Sequence, residues 1–491
     1  MMKKIGSIRF SEKDNVAVAL EDGVAGDVME FCGGFSTLFS DVPTGFKAAL
    51  RDIVAGEHIY KYGESIGVAR REIKAGELVY EDNIVSTLNG ELTVKPWKAP
   101  QAPENCIVLP PFMGYKRKNG RAGVRNELWI IPTVGCINGL LRNIIRDYKM
   151  PDHITAVRVL EHPWGCSQLD GDLNNTRCVL IGLAHNPNAA GVLVAAMGCE
   201  NLQLSSMQGG LADVGNLRTV TIQDETDEKA AVFVALDELA NAAVIKRSAC
   251  PASDLVFGIK CGGSDSMSGL TANPLLGRVT EYYTSFGGTA IMGELPEMFG
   301  AENGILARCA TPEVHTKLSR MLQSFRDYFV FHGQPIFENP SPGNKAGGIS
   351  TLEEKSLGAV SKSGHALVTD ALDYGCIWKK KGLNIVYSPG NDPVSCTAMA
   401  AAGAVLILFT TGRGTPFGTV VPTLKISTNK VLAKRKPGWI DFDASTVMTT
   451  GMEETASLLV RKMTETANGT QTRNEENNIA EISIFKDGVI L

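Results

Sequence analysis

Apolar runs of strand length recur along the chain, and several end in a turn that carries glycine and a reactive side chain. The run 255–259 leads into Lys260-Cys261-Gly262-Gly263-Ser264-Asp265, with a helix expected over 274–286. The run 128–134 leads into Gly135-Cys136, and 154–160 into Glu161-His162-Pro163-Trp164-Gly165-Cys166-Ser167-Gln168. The run 191–194 leads into Gly198-Cys199-Glu200-Asn201. Further strands are expected at 288–292, ending in Gly293-Glu294-Leu295-Pro296-Glu297, and at 383–387 and 404–409. Helical periodicity covers 226–246 and 312–331. Alternating strands and helices predict a mostly parallel α/β architecture covered by helices. In such sheets ligands bind at the carboxyl ends of the strands. If the strands are parallel, the thiols of Cys136, Cys166, Cys199 and Cys261 gather along one edge.

The first part of the chain has a different pattern. Residues 1–83 read as a small β domain, with a strand at 15–20 and a repeat in which 51–60 matches 71–80. Each copy is a turn at Ala-Gly-Glu followed by a short strand. Residues 84–113 form a linker holding Pro96, Pro100, Pro103, Pro110 and Pro111. Its proline content makes it a semi-rigid spacer able to cross the surface of the next domain. A middle α/β domain over 114–249 and a further α/β domain over 250–491 complete the organisation.

Composition narrows the class. A length of 491 residues suggests about three domains. A net charge of −5 argues against nucleic acid as the main partner. No apolar run is long enough to span a bilayer, and the first residues lack the apolar core of a signal peptide. The expected setting is therefore the cytoplasm, with no membrane partner. Eleven cysteines in a reducing compartment read as metal ligands, catalytic groups or packing residues rather than a disulfide frame. Cys32, Cys178 and Cys309 read as packing.

The chemistry concentrates in the turns. Thiolates at Cys136, Cys166, Cys199 and Cys261 suit iron, zinc or an iron–sulfur cluster. His162, four residues before Cys166, suits a metal ligand or a general acid. The loop 338–348, rich in proline and glycine, carries Asn344 and Lys345, and Lys345 suits a substrate carboxylate or a desolvated base. Arg413, between Gly412 and Gly414, suits a bidentate grip on a carboxylate. Asp265, Glu294, Glu297 and Asp392 are strand-end carboxylates suited to a base or to hard metal ligation. Neither a P-loop nor a dinucleotide fingerprint follows the first strand, so a nucleotide is not indicated.

The motifs Gly123-Val124-Arg125-Asn126-Glu127-Leu128-Trp129, Pro132-Thr133-Val134-Gly135-Cys136, Gly165-Cys166-Ser167-Gln168, Gly198-Cys199-Glu200-Asn201, Cys261-Gly262-Gly263-Ser264-Asp265, 339–348 and Thr411-Gly412-Arg413-Gly414 resemble the altronate/galactarate dehydratase family along essentially the whole chain. The resemblance implies an N-terminal β-clip (SAF-like) domain, a middle domain used in dimerisation, hence a homodimer, and a Rossmann-like C-terminal domain. It implies dehydration of a sugar acid such as the aldonate D-altronate to a 2-keto-3-deoxy acid, with Fe2+ or Mn2+. On that reading Cys136, Cys166 and Cys261 hold the metal, His162 is the acid, and Lys345, Asp265 or Glu294 is the base. Arg413, Ser264, Asn344, Lys47 and Asn83 bind substrate, with Tyr62 facing the same site. A related lyase on galactarate or sulfolactate, or a non-catalytic sugar-acid binding homologue, are the alternatives. The chain departs from the family pattern at Phe46, Tyr80 and Asp82, where the family carries histidines. Those replacements imply a changed pocket or a metal held by the C-terminal domain alone.

Overall fold

The computed structural model describes residues 2–89, 91–101 and 108–491. The N-terminal region is all β. A six-stranded sheet runs in the order Gly34–Thr37, Val28–Phe31, Lys4–Ile8, Val16–Ala19, Lys47–Ala49, Leu78–Val79. A three-stranded sheet of His58–Lys61, Glu64–Ala69 and Ile84–Val85 lies beside it. The sequence repeat has a structural counterpart: Ile53 and Ile73, equivalent in the two copies, pair in an antiparallel bridge and are fully buried.

The linker leaves this region along the C-terminal part of the chain rather than the middle one. Ser86 and Thr87 bond the Glu353 carboxylate, Leu92 N–H donates to Gln323, and Trp97 Nε1 donates to Cys309 O at 2.9 Å. Pro103 lies outside the described residues.

Two parallel sheets follow. The middle one has four strands in the order Val157–Val159, Glu127–Pro132, Ala189–Ala196, Leu217–Thr221, all parallel. The second has seven, in the order Val368–Leu372, Gly382–Val386, Thr289–Met292, Val256–Cys261, Leu406–Thr411, Thr423–Ser427, Phe442–Asp443, again all parallel. The expected helices are Glu228–Ala242, Ala272–Ser285 and Pro312–Phe331. The two sheets share a core: Trp129, Ile131 and Val194 of the first pack in one cluster with Ile291, Val386 and Ile407 of the second. Asn186 and Asn188 stitch them together, donating to the carbonyls of Ala400, Ala404 and Val405. Among the described residues no helix is long and apolar enough to cross a membrane.

This division corrects one expectation. Cys136, Cys166 and Cys199 follow strands of the four-stranded sheet, whereas Cys261 ends a strand of the seven-stranded one. The thiols therefore do not share one edge, and Cys261 does not join Cys136 and Cys166. Each apolar run announces a strand, but its pattern does not say which sheet the strand enters.

Candidate active site

The strand Val256–Cys261 is buried at all six positions, and it carries Lys260 and Cys261 to its carboxyl end. Successive side chains of a strand point to opposite faces, so these two polar groups approach the same corner from different sides. The adjacent parallel strand Thr289–Met292 ends in Gly293 and Glu294. Glu294 is a fully buried non-glycine residue at φ 66°, and its N–H donates to Ser388 Oγ at 3.0 Å. Left-handed backbone at a non-glycine residue costs energy and concentrates at functional sites. The short turn Leu295–Met298 then presents Glu297. Across from these strands, the helix Leu352–Val360 supplies Lys355, and the turn after it supplies Lys362.

These residues form one charge cluster. Lys260 Nζ pairs with Glu294, lies 2.9 Å from Asp392 Oδ1 and donates to Cys261 O at 2.8 Å. Lys362 Nζ lies 2.7 Å from Glu294 Oε2 and 3.2 Å from Cys261 Sγ. Lys355 Nζ lies 2.9 Å from both Glu297 Oε1 and Asn339 Oδ1. Cys261 Sγ donates to Glu297 Oε2 at 3.5 Å. Ions taken out of water at such a site are tolerated only when closely paired.

The titration behaviour follows from this crowding. Burial pushes the Cys261 thiol up to about 12, and the Glu294 carboxylate adds to the effect. Burial also works to raise Glu297, but Lys355, Lys260 and Lys362 outweigh it and hold the carboxyl at about 2. Burial opposes the Lys260 ammonium, yet Glu294 and Asp392 bring its pKa well above the usual lysine value. Lys362 shifts upward in the same way, burial being outweighed by Cys261 and Glu294.

The cluster opens into a cleft of about 440 Å³ whose polar floor includes Gly262, Glu297, Asn339, Asn344, Lys355 and Asp392. Phe325, Tyr328, Phe329, Ile336 and Phe485 form its apolar wall. A few placed charges in a largely apolar recess are the usual form of a small-molecule site. One ligand atom each from Cys261, Glu294 and Glu297 lies within 4.8 Å of the others, the sole such His/Cys/Asp/Glu set among the described residues. A thiol with two carboxylates, all buried, suits a divalent transition metal by donor type. The same carboxylate oxygens are already held by ammonium groups, which a bound cation has to displace.

The β region docks beside this corner. Lys47 and Lys61, both buried, each reach Glu354 at 2.8 Å, and Lys47 also bonds Ser350 Oγ at 2.6 Å. Glu354 is held at about 2, because Lys47 and Lys61 together overcome the cost of burying it. For Lys47, burial dominates and moves the pKa down, opposite to the gain expected of a paired lysine. One carboxylate shared by two ammonium groups is strongly held in its charged form. Thr351 Oγ1 donates to Ile66 O at 2.6 Å, and Tyr80 OH to Lys345 O at 2.7 Å.

The remaining expected residues are dispersed. Ser264 is buried, and its carbonyl accepts from Asn344 Nδ2 at 2.8 Å. Asp265 is spent on neighbouring loops, accepting from Ser268, Thr428 and Asn429, and burial raises its carboxyl. Lys345 is half-exposed and paired with Glu81 at 2.6 Å. Arg413 is exposed, with its backbone N–H bonded to Gly263 O at 2.9 Å. Tyr62 lines a small space with Asp265 and Ser266, whereas Asn83 bonds within its own turn to Tyr80 N–H and Leu78 O. His162 sits in the middle sheet: its Nε2 donates to Pro132 O, and its Nδ1 accepts from Trp164 N–H. Burial takes its pKa down to about 4, so both nitrogens act as a neutral latch on that loop. Phe46 and Tyr80 pack ring to ring at 5.3 Å, and Asp82 is exposed and paired with Arg71.

Sequence reasoning missed Lys355, Lys362 and Glu354. The stretch Leu352-Glu353-Glu354-Lys355 reads as a solvated charged helix, yet all four residues are buried. Lys260 had a usable signal, since a lysine closing a strand-length apolar run has to find a buried anion.

Three family models cover most of the chain. That described as "Altronate/galactarate dehydratase SAF domain" matches residues 5–87. "D-galactarate dehydratase/Altronate hydrolase, second domain" matches 114–244, and "D-galactarate/Altronate dehydratase, C-terminal" matches 252–490. An altronate dehydratase of Bacillus subtilis is 44% identical over 498 residues, covering 99% of each chain. An altronate dehydratase of Escherichia coli is 43% identical over 497 residues, again 99% of each. A galactarate dehydratase (L-threo-forming) of Escherichia coli is 33% identical over 467 residues, 90% of this chain and 88% of the other. The chain belongs to the altronate/galactarate dehydratase family.

Proposed function

We propose that the protein is a carbon–oxygen hydro-lyase that removes water from an aldonate of the altronate kind to give a 2-keto-3-deoxy acid. The observation that carries this reading is the buried Cys261–Glu294–Glu297 set interleaved with Lys260, Lys355 and Lys362 at the floor of the cleft. Dehydration of a 2,3-dihydroxy acid starts with loss of the weakly acidic proton next to the carboxylate. The negative charge that develops needs fixed cations close by and little water.

Lys355 lines the cleft between Glu297 and Asn339, where its ammonium meets the substrate carboxylate and the charge developing at C2. Asp392 is the carboxylate of this group most open to the cleft, its side chain 30% exposed, and it is the proposed acceptor of the C2 proton. Lys260, kept protonated behind it, holds that carboxylate in place. The hydroxyl at C3 leaves with a proton from Lys355, and the enol ketonises. Asn344 and Asn339 orient hydroxyls at the cleft wall. Cys261, Glu294 and Glu297 would hold a divalent ion, whose Lewis acidity would stabilise negative charge on the substrate oxygens. Of Fe2+ and Mn2+, the thiol favours iron. Lys362 and Lys260 pair with Glu294 from either side.

A cytoplasmic homodimer formed through the middle region belongs to the same proposal, and exposed Val234 and Val244 offer that region apolar surface. The activity is tested by anaerobic incubation with Fe2+ or Mn2+ and a panel of aldonates and aldarates, followed by an assay for 2-keto-3-deoxy acids. Formation of that product from an aldonate supports the reading, and binding without turnover across the panel would overturn it.

A further inference from the structure

The cleft chemistry leaves a second group of reactive side chains unused. Cys136, Cys166 and Cys199 are exposed, and each follows one of three adjacent parallel strands of the middle sheet. An exposed cysteine contributes little to packing, and its chemistry decides its use. The backbone just before each thiol is pressed against its neighbours. Gly135 N–H donates to Trp164 O at 2.9 Å, and Leu202 N–H to Gly165 O at 2.9 Å. A Cβ at Gly165 would lie 1.8 Å from Thr133 O, and one at Gly135 would lie 2.8 Å from His162 O. Those positions have to be glycine for the three loops to meet.

Buried polar side chains fix the loops in turn. His162 bonds Pro132 O and Trp164 N–H, Gln168 accepts from Gly165 N–H at 3.0 Å, and Glu200 accepts from Gly198 N–H at 2.6 Å. His162, Gln168 and Glu200 are each at most 3% exposed. Gln223 Nε2 also donates to Cys199 Sγ at 3.5 Å. Outer side chains that orient ligand-bearing loops are the mark of a prepared metal site.

We infer that Cys136, Cys166 and Cys199 hold an iron–sulfur cluster at the carboxyl edge of the middle sheet, separate from the Cys261 corner. The spacing argues against a single ion shared by all three. The three thiols are not all within 4.8 Å of one another, as ligands of one ion would be. A cluster places each thiolate on a different iron and so holds them further apart. Three thiolates leave one iron of a four-iron cluster open to a further ligand. Segment 485–491 runs between the two sites: Phe485 lines the cleft, and Leu491 N–H donates to Ser167 O, next to Cys166.

The test is anaerobic reconstitution of the full chain with ferrous iron and sulfide. Bound iron and acid-labile sulfide are then measured, together with the visible charge-transfer absorption and the electron paramagnetic resonance of the reduced protein. The expected result is acid-labile sulfide and charge-transfer absorption retained in equal amounts by the parent and by Cys261→Ser. Both should be lost from Cys136→Ser, Cys166→Ser and Cys199→Ser, whose unfolding curves match the parent. Alkylation read by mass spectrometry supplies an independent check, with all three thiols protected in the reconstituted parent and reactive after chelation. No acid-labile sulfide retained by the parent, a cluster lost only from Cys261→Ser, or thiols equally reactive before and after chelation would each overturn the inference.

Discussion

The two parallel sheets end in the same local device, a strand closing on a turn with glycine and cysteine, and put it to opposite uses. At the seven-stranded sheet the thiol is buried, pushed up to about 12 and crowded by three ammonium and two carboxylate groups. At the four-stranded sheet the thiols are exposed, and the buried polar groups behind them brace the loop backbone. A glycine–cysteine turn therefore announces a site without fixing its chemistry. What surrounds the turn in space decides whether the thiol is buried among charges or left open to solvent.

The largest difference is expected on removing one buried charge. Glu294→Gln leaves Lys260 and Lys362 facing a neutral amide, and breaking a buried pair in this way costs about 3–5 kcal/mol. Denaturant unfolding should show that loss, whereas Cys199→Ser at the exposed edge should stay within about 0.5 kcal/mol of the parent. Equal effects at the two positions would erase the contrast.

A second comparison sets Glu354 against its surroundings. Glu354→Gln removes the anion shared by Lys47 and Lys61, so limited proteolysis should release the β region faster than in the parent. The Glu354 carboxyl is depressed to about 2 in the folded chain, so its contribution is present above the ordinary carboxyl range. That contribution is lost as pH falls toward 2, and the protease sensitivity of the parent should rise over the same window.

The middle sheet has its own pH signature. His162 is held neutral down to about 4, whereas an unfolded histidine takes up its proton near 6.5. The unfolded state then binds more protons between those values, so stability falls as pH drops from 6.5 to 4, by up to about 3 kcal/mol. A His162→Gln variant should flatten that slope in unfolding curves measured across the window.

The smallest effect is expected at Asp82, which is exposed, paired with Arg71 and absent from the cleft lining. Asp82→His should change turnover less than about twofold, as surface substitutions usually do. A large gain would bring the β region into the chemistry more directly than its position suggests.

Much of the fold was legible in the chain. The strand before Cys261, the repeat at 51–60 and 71–80, and the helix over 312–331 follow from periodicity and turn residues. Strand Thr423–Ser427 was not legible, because it alternates with a fully buried Lys425 and reads as polar. In the site, Glu294, Glu297, Asp392 and Cys261 lie at strand ends and could be named from position. Lys355 and Lys362 come from a charged helix and the turn after it, and only tertiary packing turns them inward. The separation of Cys261 from Cys136 and Cys166 depended on which sheet each strand joins, a long-range choice that local pattern does not carry.

The central claim is that the cluster of ammonium and carboxylate groups at the cleft floor dehydrates a sugar acid. The direct measurement is 2-keto-3-deoxy acid formed from D-altronate by the metal-supplied parent and by Lys355→Met. The account expects steady product from the parent. It expects kcat reduced by about 100-fold or more in the variant, the usual scale for losing one preorganised stabilising group. A folded Lys355→Met enzyme turning over D-altronate at the parent rate would contradict it.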